Sequence, residues 1–177
     1  MTAPPPLPDP SATAGGGTRR LVVMGVSGCG KSSVGAALSA RLGIPYVEGD
    51  ALHSRQAVAK MRAGVPLTDD DRWPWLDRVA QVLRDRAPVI LGCSALKRAY
   101  RDRIRAGAGG PVTFVHLSGS RALIAARMAA RSGHYMPLAL LESQFAALEP
   151  PGPEEAITVD IALGLPELVE TILSRLS

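Results

Sequence analysis

A chain of 177 residues, 46% hydrophobic and 20% charged, has enough apolar material for one core and too little length for two independent domains. Its formal charge of +4 and pI near 9.5 come from dispersed positive residues that are not interleaved with aromatics, which argues against a nucleic-acid partner. The purely apolar runs at 21–24 and 88–91 fall far short of the roughly 20 residues of a membrane span, and no basic-then-apolar leader opens the chain, so a cytoplasmic protein is expected.

Two cysteines, Cys29 and Cys93, are too few for a disulfide framework and read as free thiols in a reducing compartment. The basic set is seventeen Arg and three Lys, namely Lys31, Lys60 and Lys97. A chain that uses Arg almost everywhere keeps Lys where a compact ammonium suits better than a planar fork.

Residues 1–18 are rich in Pro and Gly with almost nothing apolar to bury, the composition of a disordered tail. The domain therefore spans 19–177. Its first predicted strand, 21–24, runs into Gly25-Val26-Ser27-Gly28-Cys29-Gly30-Lys31-Ser32, which matches G-x-x-x-x-G-K-[ST] and opens a helix predicted over 31–42. Glycines let the backbone curl so that successive N–H groups point at phosphate oxygens, and the helix N-terminus adds partial positive charge. Lys31 then reaches the β- and γ-phosphates of ATP, and the Ser32 hydroxyl is placed to ligate Mg²⁺. Residues 25–32 together with Ser33 form the expected nucleotide cradle.

A short strand at 46–47 leads into Glu48-Gly49-Asp50, a position that faces the same crevice as the phosphate loop if the sheet is parallel. Two carboxylates there divide the work of phosphoryl transfer: Glu48 helps hold the metal, directly or through water, and Asp50 accepts the proton of the attacking hydroxyl. Asp50 also reads as a cap for a helix predicted over 51–63. Within that helix His53 and Lys60 are open to two readings, ordinary surface residues or substrate contacts.

The stretch 64–76 gathers Asp69, Asp70, Asp71, Arg72, Trp73 and Trp75. Part of it reads as a helix start, with acids at the positive dipole end and Pro74 in the first turn of a helix over 73–86. The Arg and the two Trp beside the acids also suit the wall of a polyol site. The third strand, 89–92, continues as Cys93-Ser94 without the acid typical of a Walker B element, and the chain contains no Asn, so the guanine-reading Asn-Lys-x-Asp motif is absent. A regulatory GTPase is thereby disfavoured against a kinase. Lys97 and Arg101, on a helix predicted over 95–105, and Arg72 are available donors for an anionic acceptor. Tyr100 reads as packing with a polar tip.

A strand at 112–117, helices at 121–131 and 138–147, a strand at 157–159 and a helix at 166–176 complete the alternation, with loops at 107–111 and 149–153. Strand and helix in alternation predict a three-layer α/β/α domain with a five-stranded parallel sheet. Arg127 and Arg131 lie four apart on one helical face ahead of Ser132-Gly133-His134, a predicted hinge and lid over about 127–138. Arg131 is assigned to the transferring phosphate and Arg127 to the nucleotide.

Gly25-Val26-Ser27-Gly28 through Ser32, then Glu48-Gly49-Asp50 with Leu52-His53, then Lys60-Met61 with Gly64, Pro66-Leu67, Asp69, Asp71-Arg72 and Trp75-Leu76, then Cys93-Ser94-Ala95-Leu96-Lys97 with Tyr100-Arg101-Asp102, together resemble the gluconokinase family of P-loop kinases. Gly133-His134-Tyr135-Met136 and Gln144-Phe145 add to the resemblance, which covers about 21–160. One departure is Glu48, where relatives are expected to carry Asp; it keeps a carboxylate and lengthens its reach. The resemblance implies ATP-dependent phosphorylation of D-gluconate to 6-phosphogluconate in a fold similar to nucleoside-monophosphate kinases, with Asp50, His53, Arg72, Lys97, Arg101 and His134 around the substrate and a homodimer as the assembly. A shikimate-kinase-like enzyme of the same shape and, more distantly, a P-loop nucleotide switch are the alternatives.

Overall fold

The structure, a computed structural model, describes residues 19–130 and 138–176. The tail expected over 1–18 and the lid residues Arg131 and His134 lie outside the described residues. Strand β1 (Arg20–Met24) and β3 (Val89–Gly92) are apolar on both faces, and Leu21, Val22, Val23, Met24, Val89, Ile90 and Leu91 are all buried. Continuous burial of this kind requires helices on both sides of the sheet.

The sheet is parallel throughout, in the order β2-β3-β1-β4-β5, with β2 Tyr46–Glu48, β4 Thr113–Ser118 and β5 Ala156–Asp160. Val22 of β1 lies opposite Leu91 of β3 on one side and Phe114 of β4 on the other. The chain leaves β1 toward the β2–β3 side and later returns to β1's other flank with β4. That reversal opens a crevice at the carboxyl end of β1, where open α/β sheets place their ligands.

Helix α1 (Lys31–Leu42) follows the phosphate loop and packs between the sheet and the carboxyl-terminal helix α7 (Leu165–Leu176). Helices α3 (Asp69–Asp85) and α4 (Arg98–Gly107) pack against one another, and α3 also meets β3. Helices α5 (Arg121–Ala130) and α6 (Leu138–Ala147) flank the predicted lid. Buried leucines, valines and isoleucines from every layer meet in one cluster, each contributing ~1.5–3 kcal/mol by leaving water.

Three helix starts differ from those predicted by more than one residue, each for a local reason. The helix expected over 51–63 is two pieces, a 3-10 turn (Gly49–Leu52) and α2 (Arg55–Arg62), because the Ser54 hydroxyl accepts from Ala57 N and starts a new helix. Asp50 lies inside the turn and caps nothing. Helix α3 begins at Asp69, ahead of the predicted Trp73, because Thr68 and Asp71 form a capping box; Pro74 sits inside the helix. Helix α4 begins at Arg98, since Ala95 adopts φ 45° and cannot continue a helix, which leaves Lys97 as a loop residue at the carboxyl end of β3.

Candidate active site

The phosphate loop is shaped by what it cannot accommodate. At Gly25 (φ 144°) a Cβ would meet Cys29 Sγ at 2.7 Å and the Leu117 carbonyl at 2.9 Å, so only glycine lets the loop turn back over β1. Val26 and Cys29 are buried and anchor the loop to the core. Helix α1 starts with no side-chain cap and no acid in its first turn. Its terminal N–H groups and dipole are therefore available to an anion. Lys31 Nζ donates to the carbonyls of Gly25 (3.0 Å) and Val26 (3.1 Å), holding its ammonium across the loop where a phosphate would take those bonds over. From outside, Gln144 of α6 grips the tip: its Oε1 accepts from Ser27 N at 2.7 Å and its Nε2 donates to Ser27 Oγ at 3.0 Å.

Beside the loop, Ser32 Oγ donates to Glu48 Oε2 at 2.5 Å, and the Tyr46 hydroxyl donates to the same oxygen at 3.2 Å. The longer Glu side chain thus still reaches the P-loop serine. A hydroxyl and a carboxylate at the mouth of a phosphate loop are hard oxygen donors of the kind Mg²⁺ takes alongside phosphates and water, so the residues fit that ion.

Asp50 is brought to the crevice by close packing. A Cβ at Gly49 would stand 2.0 Å from the Gly92 carbonyl, so glycine alone lets the turn lie against the end of β3. Two side chains of α3 then clamp the turn: Trp75 Nε1 donates to Gly49 O at 2.9 Å and Arg78 Nε to Leu52 O at 2.7 Å. The Asp50 carboxylate is exposed and, among the described residues, accepts no hydrogen bond. Burial pushes the Cys93 thiol, at the end of β3, up to about 12, and that thiol also feels Asp50, Lys31 and Arg72.

Across the crevice lies a cavity of about 480 Å³ lined by Thr68, Asp69, Asp70, Arg72, Lys97 and Tyr100, with Ser143 and Ala147 of α6 closing one side. Its size is that of a small-molecule site. Asp69 accepts from the Tyr100 hydroxyl and from Lys97 Nζ (3.1 Å), and these two partners hold its carboxyl below the usual range. The Arg72 guanidinium lies over the Tyr100 ring, 5.5 Å from its centroid, and has no carboxylate partner among the described residues.

Several expectations are corrected here. Arg101 is not a substrate donor: it is 1% exposed, and its guanidinium is consumed by Glu155 (2.7 Å) and by the carbonyls of Ala95, Leu96 and Glu149. It instead holds the left-handed Ala95 and thereby the loop that presents Lys97. Trp75 is no polyol wall, being buried with His53 stacked on it at 4.0 Å. Burial, helped by Arg72 and Arg78, lowers His53 to about 4 and keeps its imidazole neutral. Lys60 is committed to Asp71 at 2.8 Å and, unlike Lys97, does not line the cavity. Arg127 donates to Ile161 O at 2.5 Å, beside the end of β5. Sequence reasoning marked Gln144 only as part of the resemblance and Trp75 only as a candidate wall, and missed what each holds, because a glutamine on an apolar helix and a tryptophan in an acidic stretch carry no local signal of whom they meet.

A phosphate-binding half and a cationic acceptor half facing each other across a switch-point crevice put the chain in the class of P-loop small-molecule kinases. A family model described as an AAA domain matches residues 21–151. A probable gluconokinase from Mus musculus is 45% identical, the alignment covering 88% of this chain and 96% of the relative. A gluconokinase crystal structure from Sinorhizobium meliloti 1021 superimposes with TM-score 0.83 at 50% identity, over 90% of this chain and 93% of that one. The chain belongs to the gluconokinase family. A shikimate kinase from Bacteroides thetaiotaomicron, at TM-score 0.68 and 14% identity over 90% of this chain and 98% of its own, shares the fold alone.

Proposed function

We propose that this crevice transfers the γ-phosphate of ATP to the primary hydroxyl of D-gluconate, giving 6-phospho-D-gluconate and ADP. The observation that carries the reading is the pairing of an uncommitted carboxylate, Asp50, with a pocket whose two cations, Arg72 and Lys97, are separate from the phosphate loop. An open-chain sugar acid offers a carboxylate for the cations at one end and a hydroxyl for the base at the other.

In this reading Asp50 takes the proton of the 6-hydroxyl as its oxygen bonds to the γ-phosphorus, and the bond from that phosphorus to the β,γ-bridging oxygen breaks. Lys31 exchanges its carbonyl partners for β- and γ-phosphate oxygens and holds the charge that develops there. Ser32 and Glu48 would hold Mg²⁺, which supplies charge neutralisation between the phosphates. Arg127 serves the nucleotide. Arg72 and Lys97 orient the acceptor by its carboxylate, and Asp69 and Asp70 offer acceptors to its hydroxyls. The cytoplasm as the setting and a homodimer as the assembly belong to the same reading. Among the described residues no helix is long and apolar enough to cross a membrane.

An ATP-consumption assay against gluconate, glucose, shikimate and nucleoside monophosphates tests it. Turnover with gluconate far above the rest is expected. Turnover with shikimate or a nucleotide and none with gluconate overturns the assignment.

A further inference from the structure

Helix α6 touches both halves of the site. Ser143 and Ala147 lie on the wall of the acceptor cavity, while Gln144, one step around the same helix, holds the tip of the phosphate loop through both ends of its amide. The far end of the helix is not free to drift. Just beyond it, Glu149 N donates to Leu96 O (2.8 Å), Glu149 Oε1 accepts from Arg98 N (2.8 Å), and Glu149 O accepts from the buried Arg101 (2.9 Å). These bonds tie the end of α6 to the loop that carries Lys97.

The loop tip it grips is the part of the cradle least constrained by the core. Val26 and Cys29 are buried, but Ser27 between them is only half-buried, and its N–H and hydroxyl both go to Gln144. Lys31 fixes residues 25 and 26 from inside the loop through their carbonyls. Gln144 is the only side chain among the described residues that fixes Ser27.

We propose that Gln144 is a positioning residue that couples the two substrates: a sugar acid held by Lys97 and seated against Ser143 and Ala147 sets the position of the Lys97 loop and of the α6 end tied to it, and Gln144 passes that position to Ser27 so that the phosphate loop is set for ATP. The inference rests on the cavity being the gluconate pocket. Coupling between ligands is reciprocal, so ATP tightens gluconate binding by the same factor that gluconate tightens ATP. The two bonds to one residue make the amide selective, since its carbonyl must face the N–H and its NH₂ the hydroxyl.

The test is calorimetric titration of the full chain with a non-hydrolysable ATP analogue and Mg²⁺, with and without saturating gluconate, for the wild type, Gln144→Met, Ser27→Ala and the double variant. Methionine keeps the length and loses both bonds. The wild type is expected to bind the analogue at least ~5-fold more tightly with gluconate present, within the usual range of coupling. Gln144→Met is expected to bring that factor, read as the ratio of the two titrations whatever happens to ATP binding alone, close to one while gluconate alone binds as before, and to raise both KM values in turnover with a smaller effect on kcat. Ser27→Ala should lose part of the coupling, and should lose nothing further when added to Gln144→Met. A Gln144→Met protein that keeps wild-type coupling, or additive losses in the double variant, would overturn the proposal. Wild type that phosphorylates gluconate yet shows no coupling sinks this inference alone, whereas wild type that ignores gluconate in the turnover assay sinks the assignment of the pocket. If Gln144→Met fails to fold, the partial loss expected of Ser27→Ala decides.

Discussion

Among the described residues the Asp50 carboxylate has no partner, because everything around it is held by something else. Glu48 is taken by Ser32 and Tyr46, and the carbonyls of the 3-10 turn are taken by Trp75 and Arg78. Asp50→Asn removes the base and leaves this scaffold untouched. The variant should bind ATP and gluconate with unchanged affinity while kcat falls by ~10²–10⁴, the usual share of general-base catalysis; rapid-quench kinetics alongside titration of each ligand measures both. Arg101 makes the opposite case. Arg101→Met leaves Glu155 buried at 5% side-chain exposure with only Arg105 (3.1 Å) to meet it, and a broken buried pair typically costs ~3–5 kcal/mol. A denaturant melt should show that loss, and the same variant should raise the KM for gluconate through the displaced Lys97 loop. The phosphate loop and the place of the acid pair beside it were legible from sequence because each motif lies in a few consecutive positions. Arg101 was misread because its partners stand at 95, 96, 149 and 155, distances along the chain at which charge type says nothing about contact.

Among the elements, the 3-10 turn Gly49–Leu52 decides where Asp50, the proposed base, stands, and α3 decides where the turn stands. Trp75→Phe keeps an aromatic ring against His53 and removes the N–H that meets Gly49 O. It should destabilise the fold by ~1–3 kcal/mol, the cost of a buried carbonyl left without its donor, and should lower kcat more than it changes the KM for ATP. A Trp75→Phe enzyme with wild-type kcat would remove the clamp from the account. Strand and helix positions followed from apolar periodicity, and α1, β3 and α6 begin and end where the pattern places them. The misplaced starts fell at side-chain caps and at a left-handed residue. Thr68 with Asp71 three positions on was a readable capping box, whereas nothing in Ser94-Ala95-Leu96 announces that Ala95 takes φ 45°, a conformation enforced from a distance by Arg101.

At the scale of the whole molecule, the alternation of apolar runs and helical stretches was enough to predict a parallel five-stranded sheet, and the crevice then follows from the strand order. The response to acid was not legible, since it depends on burial. His116 on β4 is 3% exposed with Nδ1 unpartnered among the described residues, and burial with the nearby Arg101 lowers it to about 4. The unfolded chain binds that proton near pH 6.5 and the folded chain only near pH 4, so stability is full above about pH 6.5 and falls as pH drops toward 4. For His116 the loss is on the order of 3 kcal/mol, and His116→Leu should flatten that part of the curve in melts run from pH 7 to pH 4. His53 adds a slope in the same direction.

The central claim, transfer of the γ-phosphate to the primary hydroxyl of a sugar acid held by its carboxylate, is tested most directly by ³¹P NMR of the wild-type protein with ATP, Mg²⁺ and D-gluconate. The account predicts one phosphomonoester signal, coupled to the protons at C6 of gluconate and appearing in step with ADP. Inorganic phosphate as the only product, or a phosphate on a hydroxyl next to the carboxylate, would contradict it, because Arg72 and Lys97 would then be holding the wrong end of the acceptor or none.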